Sequence, residues 1–211
     1  MRTLLIPALA FALLAGCGES VAENRPPLDR IFSPTGLAVA PRPGGGGDLL
    51  YVVNSNYALD YAPDDGGSVI VIDPEASVEP PGGGVAPAAV VGGFRIPSYG
   101  GEIAIAHPGL PGCESLPGTT AIVPVRYTNE TWVLDVDSNG GLSCASGGCR
   151  FPSQDDALDP FGATVVCRES AGGARASAFV THLSGESTDV APAGNGFVTE
   201  IDLLARTAAA P

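Results

Sequence analysis

The chain has 211 residues, with ten basic residues (all arginine) against 23 acidic ones and a formal net charge of −13. That balance argues against a phosphate-backbone partner, because nucleic-acid binders present a basic face. Gly (29) and Pro (20) together make about 23 %, just below the range where low-complexity disorder is the default; with 45 % apolar residues the chain reads as one folded, turn-rich domain.

Arg2 precedes a thirteen-residue apolar stretch, LLIPALAFALLAG, from Leu4 to Gly16. A bilayer-spanning helix needs about 20 such residues, so the stretch has the length of a signal-peptide core. It ends in Leu14-Ala15-Gly16-Cys17, which resembles the lipobox of bacterial lipoproteins. The resemblance implies that residues 1–16 are removed, that Cys17 becomes the acylated N-terminus, and that the partner there is a lipid bilayer. Gly18 stands where an aspartate would favour retention at the inner membrane, so the implied address is the outer membrane. Residues 17–30, polar and containing Pro26-Pro27, are expected to form a flexible tether.

Beyond residue 30 no sustained helical periodicity appears; short β-branched runs bounded by Gly, Pro and Asx predict an all-β fold. The runs recur in order. Leu37–Ala40, Ile103–Ala106 and Ala163–Val166 each follow a Gly-containing turn. Each is followed by a second run (Leu49–Asn54, Thr120–Tyr127, Ser177–Leu183) and a third that ends in an acid (Ser68–Asp73, Thr131–Asp137, Gly196–Asp202). This predicts three units, at about 31–96, 97–158 and 159–211.

The first unit, PTGLAVAP…LLYVVNSN…GSVIVIDP, resembles the YVTN-type β-propeller repeat of lactonase-like and surface-layer proteins. The resemblance implies a partial propeller of about three blades; a β-sandwich of the same strands is the rival architecture. Large and small residues alternate in LAVA and IAIA, as a crowded innermost strand requires. LLYVV and VIVI are continuously apolar, as strands covered on both faces require. Propellers close with four to eight blades, and Thr207–Pro211 shows no fourth strand for the last unit. A fragment of a longer propeller is therefore expected, with ring closure between copies as the alternative.

Blade topology would place Cys113, Cys144, Cys149 and Cys167 on one face, Cys144 and Cys149 within a loop between third and fourth strands. Four cysteines in an exported chain imply two disulfides, with three pairings open. The opposite face would gather Asn54, Asn56, Tyr57, Asp60, Tyr61, Asp64, Asp65, Tyr99, Tyr127, Asn129, Glu130, Phe161, Glu186 and Asp189. Carboxylates mixed with tyrosines suit a cation, a cationic peptide or a sugar. Asp135, Asp137 and Asn139 open a D-x-D-x-N-G run of the kind that holds Ca²⁺, but Ser146 stands where an EF-hand needs Glu. With only His107 and His182, a three-histidine metal site is excluded, and no P-loop, G-x-S-x-G or H-E-x-x-H occurs. The expected function is a membrane-tethered binding or scaffold module for a protein, peptide or glycan partner, with no cofactor; the alternative is a piece of a lactonase-like or quinoprotein-like propeller enzyme.

Overall fold

The computed structural model describes residues 25–76, 89–145, 148–153, 157–170, 173–185 and 196–208, and these form an all-β protein. The first sheet is a four-stranded antiparallel meander of β1 (Pro34–Pro41), β2 (Asp48–Asn54), β3 (Gly67–Ile72) and β4 (Val90–Ile96). The second contains β5 (Ala104–Ala106), β6 (Thr119–Val125), β7 (Glu130–Val136), β8 (Leu142–Cys144) and β9 (Arg150–Pro152). The third contains β10 (Ala157–Ser170), β11 (Gly173–Gly185), β12 (Phe197–Asp202) and β13 (Thr207–Ala208). No helix among the described residues is long and apolar enough to cross a membrane.

The three sheets pack in series; among the described residues the buried side chains form three clusters, two between neighbouring sheets and a third, of Val52, Ile70, Ile72 and Ala89, on the other face of the first sheet. Leu49, Tyr51, Val53, Val69 and Val71 of the first sheet meet Ala121, Val123, Val125, Leu134 and Val136 of the second. The intervening residues of the second sheet, Ile122 and Val133, turn the other way and meet Ala176, Ala178, Val180 and Ile201 of the third. Side chains alternate between the faces of a strand, so a strand serving two clusters is covered on both faces and is apolar along most of its length. That is why β6 and β3 are buried along their whole length.

The first and third sheets share a register irregularity. The pairing of β1 with β2 slips between Pro34 and Gly36, where Gly36 faces Val53. The pairing of β10 with β11 slips between Pro160 and Gly162, where Gly162 faces Thr181. Two residues back along the second strand stand Tyr51 and Phe179, in equivalent positions. Next to these irregularities the first strands of neighbouring sheets touch. Thr35 Oγ1 donates to the Gly100 carbonyl at 2.7 Å, and the Glu102 amide donates to the Phe161 carbonyl at 2.8 Å. A Cβ at Gly101 would lie 2.2 Å from that Phe161 oxygen, so only glycine lets the two backbones pass.

Three expectations are corrected here. Residues 25–30 are not a free tether: Leu28 packs over Gly93, Arg95 donates to the Pro26 carbonyl, and Arg25 pairs with Asp65 at 3.2 Å. The third sheet does have a fourth strand, because Thr207 and Ala208 pair with Asp202 and Ile201. Cys144 ends the first piece of the second sheet's fourth strand and Cys149 directly precedes its second piece, so neither lies in the loop before that strand. That strand runs as two pieces, with Leu142–Cys144 opposite Val136–Leu134 and Arg150–Pro152 opposite Trp132–Glu130. The Cys144–Cys149 disulfide closes the bulge between the pieces, and the second disulfide joins Cys113 of the second sheet to Cys167 of the third.

Candidate functional site

At one end of the stack the β2–β3 loop, the β4–β5 loop, the β6–β7 turn and the start of β10 come together. Main-chain hydrogen bonds knit them. The Tyr99 amide donates to the Ser55 carbonyl at 2.6 Å, and the Arg126 amide donates to the Tyr99 carbonyl at 3.1 Å. Ser55 Oγ reaches the Gly100 carbonyl at 3.0 Å, and Asn129 Nδ2 reaches the Ala157 carbonyl at 3.2 Å. Asn56, buried beneath its loop, donates through Nδ2 to the Tyr61 carbonyl and to Ser98 Oγ, and its Oδ1 accepts from the Tyr61 amide.

This frame holds a cavity of about 310 Å³ lined by Tyr57, Tyr99, Arg126, Tyr127 and Asp159. The Tyr57 and Tyr99 rings lie 5.4 Å apart and the Tyr99 and Tyr127 rings 6.4 Å apart, all tilted to one another. Tyr57 and Tyr127 remain 46 % and 45 % exposed. Arg126 approaches Asp159 Oδ1 at 3.4 Å through Nε and Nη2. Six of the seven described non-glycine residues with positive φ sit at this end: Ser33, Asn56, Leu59, Tyr99 (φ 60), Asn129 and Asp159 (φ 55). Left-handed backbone is uncommon outside glycine and asparagine, above all for a bulky residue such as tyrosine. Strain of this kind concentrates at binding and switch sites, where the surroundings over-determine it.

The residues expected on this face do not all line the pocket. Tyr57, Tyr99 and Tyr127 do meet. Asn54 and Asn56 are buried supports: Asn54 Oδ1 accepts from the Phe32 amide, and its Nδ2 donates to Ser68 Oγ. Asp65 is engaged by Arg25, and Tyr61 packs edge-on against Phe32 at 5.3 Å. Glu130 faces Arg150 at 2.8 Å on the outer strands, where Arg150 also covers the Trp132 ring. It clamps the split fourth strand and takes no part in the pocket. Asp60 and Asp64 are exposed on the β2–β3 loop, and Phe161 offers its carbonyl to the neighbouring sheet. Glu186, Asp189 and Cys17 lie outside the described residues. The pocket's two charged residues, Arg126 and Asp159, were absent from the expected set. Their signal was positional: each sits at the junction of a strand and a loop of the same end as the tyrosines.

The other candidate centres are structurally engaged. Asp135 pairs with Arg206 of the third sheet. Asp137 Oδ1 accepts from the Asn139 and Gly141 amides at 2.8 and 2.9 Å, so the D-x-D-x-N-G run is a self-capped turn. Among the described residues no group of three His, Cys, Asp or Glu side chains converges on a metal position. His182 Nε2 contacts Thr199 Oγ1 inside the third sheet. His182 and Asp135 therefore both stand apart from the tyrosine pocket. No family model, no curated protein and no solved structure matches this chain.

Proposed function

We propose that this chain is a lipid-anchored binding module of the bacterial outer membrane, acylated at Cys17 and folded as adjacent blades of a β-propeller, with its ligand pocket among the loops that carry Tyr57, Tyr99 and Tyr127. The observation that carries the binding role is the convergence of three aromatic rings, two of them nearly half exposed, from three loops that are tied to one another through the backbone. Loops positioned by a rigid scaffold are the common site of recognition, and a pocket formed before the ligand arrives spares the ordering cost of binding.

Two further features support the reading. The serial packing of meanders, with first strand near first strand, is the relation that blades bear to one another. The two disulfides suit an exported chain, since the cytosol keeps thiols reduced. The anchor is tested by labelling cells with a palmitate analogue and mapping the mature N-terminus. Label on the wild type that is lost in Cys17→Ala is the expected result; an unlabelled wild type, or cleavage at another residue, removes the anchor and leaves the binding role to be judged by its own experiment.

A further inference from the structure

We infer that the pocket takes a neutral saccharide, an inference that rests on the reading of Tyr57, Tyr99 and Tyr127 as the ligand site. A pyranose ring combines an apolar C–H face with a rim of hydroxyls. Tyrosine matches both, because its ring face is apolar and its hydroxyl donates and accepts. Three such rings stand at 5.4 and 6.4 Å spacing around one cavity of about 310 Å³, at the small end of ligand sites. Two of them are nearly half exposed at the rim, which leaves room for a chain to continue beyond the sugar that is held.

The charges select against ionic ligands. Arg126 and Asp159 oppose each other in the pocket wall at 3.4 Å. A cationic ligand would be brought against the Arg126 guanidinium. An anionic one would meet Asp159 and the field of a chain with net charge −13. A neutral polyol faces neither penalty. It can take hydrogen bonds from the guanidinium and give them to the carboxylate, and hydrogen bonds to charged groups are the stronger kind. The left-handed backbone at Tyr99 and Asp159 places two of these groups directly, so the site is set before any sugar arrives.

The experiment is isothermal titration of the full chain in mild detergent with three probes: neutral oligosaccharides (of glucose, galactose and N-acetylglucosamine), octalysine and an oligogalacturonate. Each is run on the wild type, on Tyr99→Asn and on Tyr127→Ala. Asparagine tolerates the left-handed backbone at position 99, so that variant removes the ring without straining the main chain; unchanged melting temperatures check the fold of both variants. A neutral oligosaccharide is expected to bind, insensitively to salt, and to weaken by about tenfold or more in each variant. Binding of octalysine or oligogalacturonate alone, abolished by the same variants, would overturn the saccharide while keeping the pocket as the ligand site. Saccharide binding that ignores both variants, or no binding by any probe, would overturn both.

Discussion

His182 is buried in β11 against Thr199, and desolvation pulls its imidazole below the ordinary value, against an opposing hydrogen bond at Leu158. The unfolded chain therefore takes up a proton at a higher pH than the folded one. Its contribution to stability is whole above about pH 6.5 and is lost as pH falls through the depressed folded value. Urea midpoints measured at about pH 7.5 and about pH 5 should fall on acidification, and His182→Gln should flatten part of that fall. Part of the remainder belongs to His107, whose imidazole is also held low by burial. An identical pH dependence in the variant would show that His182 does not titrate with folding. Tyr51 illustrates the same physics from the acidic side: burial between the first two sheets pushes its phenol up to about 12, with Arg42 nearby opposing the shift. The residue type of each of these groups was visible in the sequence, but its partner and burial were not. An apolar strand hides a histidine equally well in a core or on an open face.

Among the elements, the second sheet's fourth strand departs most from what the repeat predicts. Its split into β8 and β9 accommodates extra residues, and the Cys144–Cys149 bridge closes them within a sequence separation of 5. The Cys113–Cys167 bridge spans a separation of 54 and ties the β5–β6 loop to β10. Loop-closure entropy assigns about 4 kcal/mol to the longer bridge and about 2 kcal/mol to the shorter. Denaturant unfolding of Cys113→Ser/Cys167→Ser should accordingly show the larger loss, compared with Cys144→Ser/Cys149→Ser. The reverse order would mean that strand geometry in the split edge, and not restriction of the unfolded chain, dominates. Most strands that the repeat predicts are found within a residue or two of their expected bounds, because two-sided burial writes itself into consecutive apolar residues. The fourth strands were less legible. Val90–Ile96 contains two adjacent glycines, Arg150–Pro152 has three residues and Thr207–Ala208 only two, and an outer strand with one covered face needs no such run.

At the scale of the whole molecule the sheets relate head to tail, so a face that is covered on one sheet has an equivalent on the next. Tyr51, on the first sheet, is fully buried by the second. Phe179, its equivalent on the third, lines a cleft of about 220 Å³ with Val166, Arg168, Arg175, Ser177 and Glu200, and Val198 beside it is 64 % exposed. Tyr51→Ala should cost about 3–5 kcal/mol, as for other large buried aromatics, whereas Phe179→Ala should cost about 1 kcal/mol because little apolar area is lost. Equal costs in thermal or urea unfolding would mean that the third sheet's far face is covered in solution.

The order of residues alone determined the all-β class and the apolar strands, because local alternation and turn chemistry need no distant partner. It also marked the three tyrosines as residues of a common face, since a meander returns every second loop to the same end. Only the tertiary structure decided which cysteines pair, that Asn54, Asn56 and Glu130 support the frame instead of lining the pocket, and that Arg126 and Asp159 complete it. Those outcomes depend on how adjacent sheets register against each other. That register is set by backbone contacts such as Gly101 against Phe161, between residues some sixty positions apart, where no local pattern reaches.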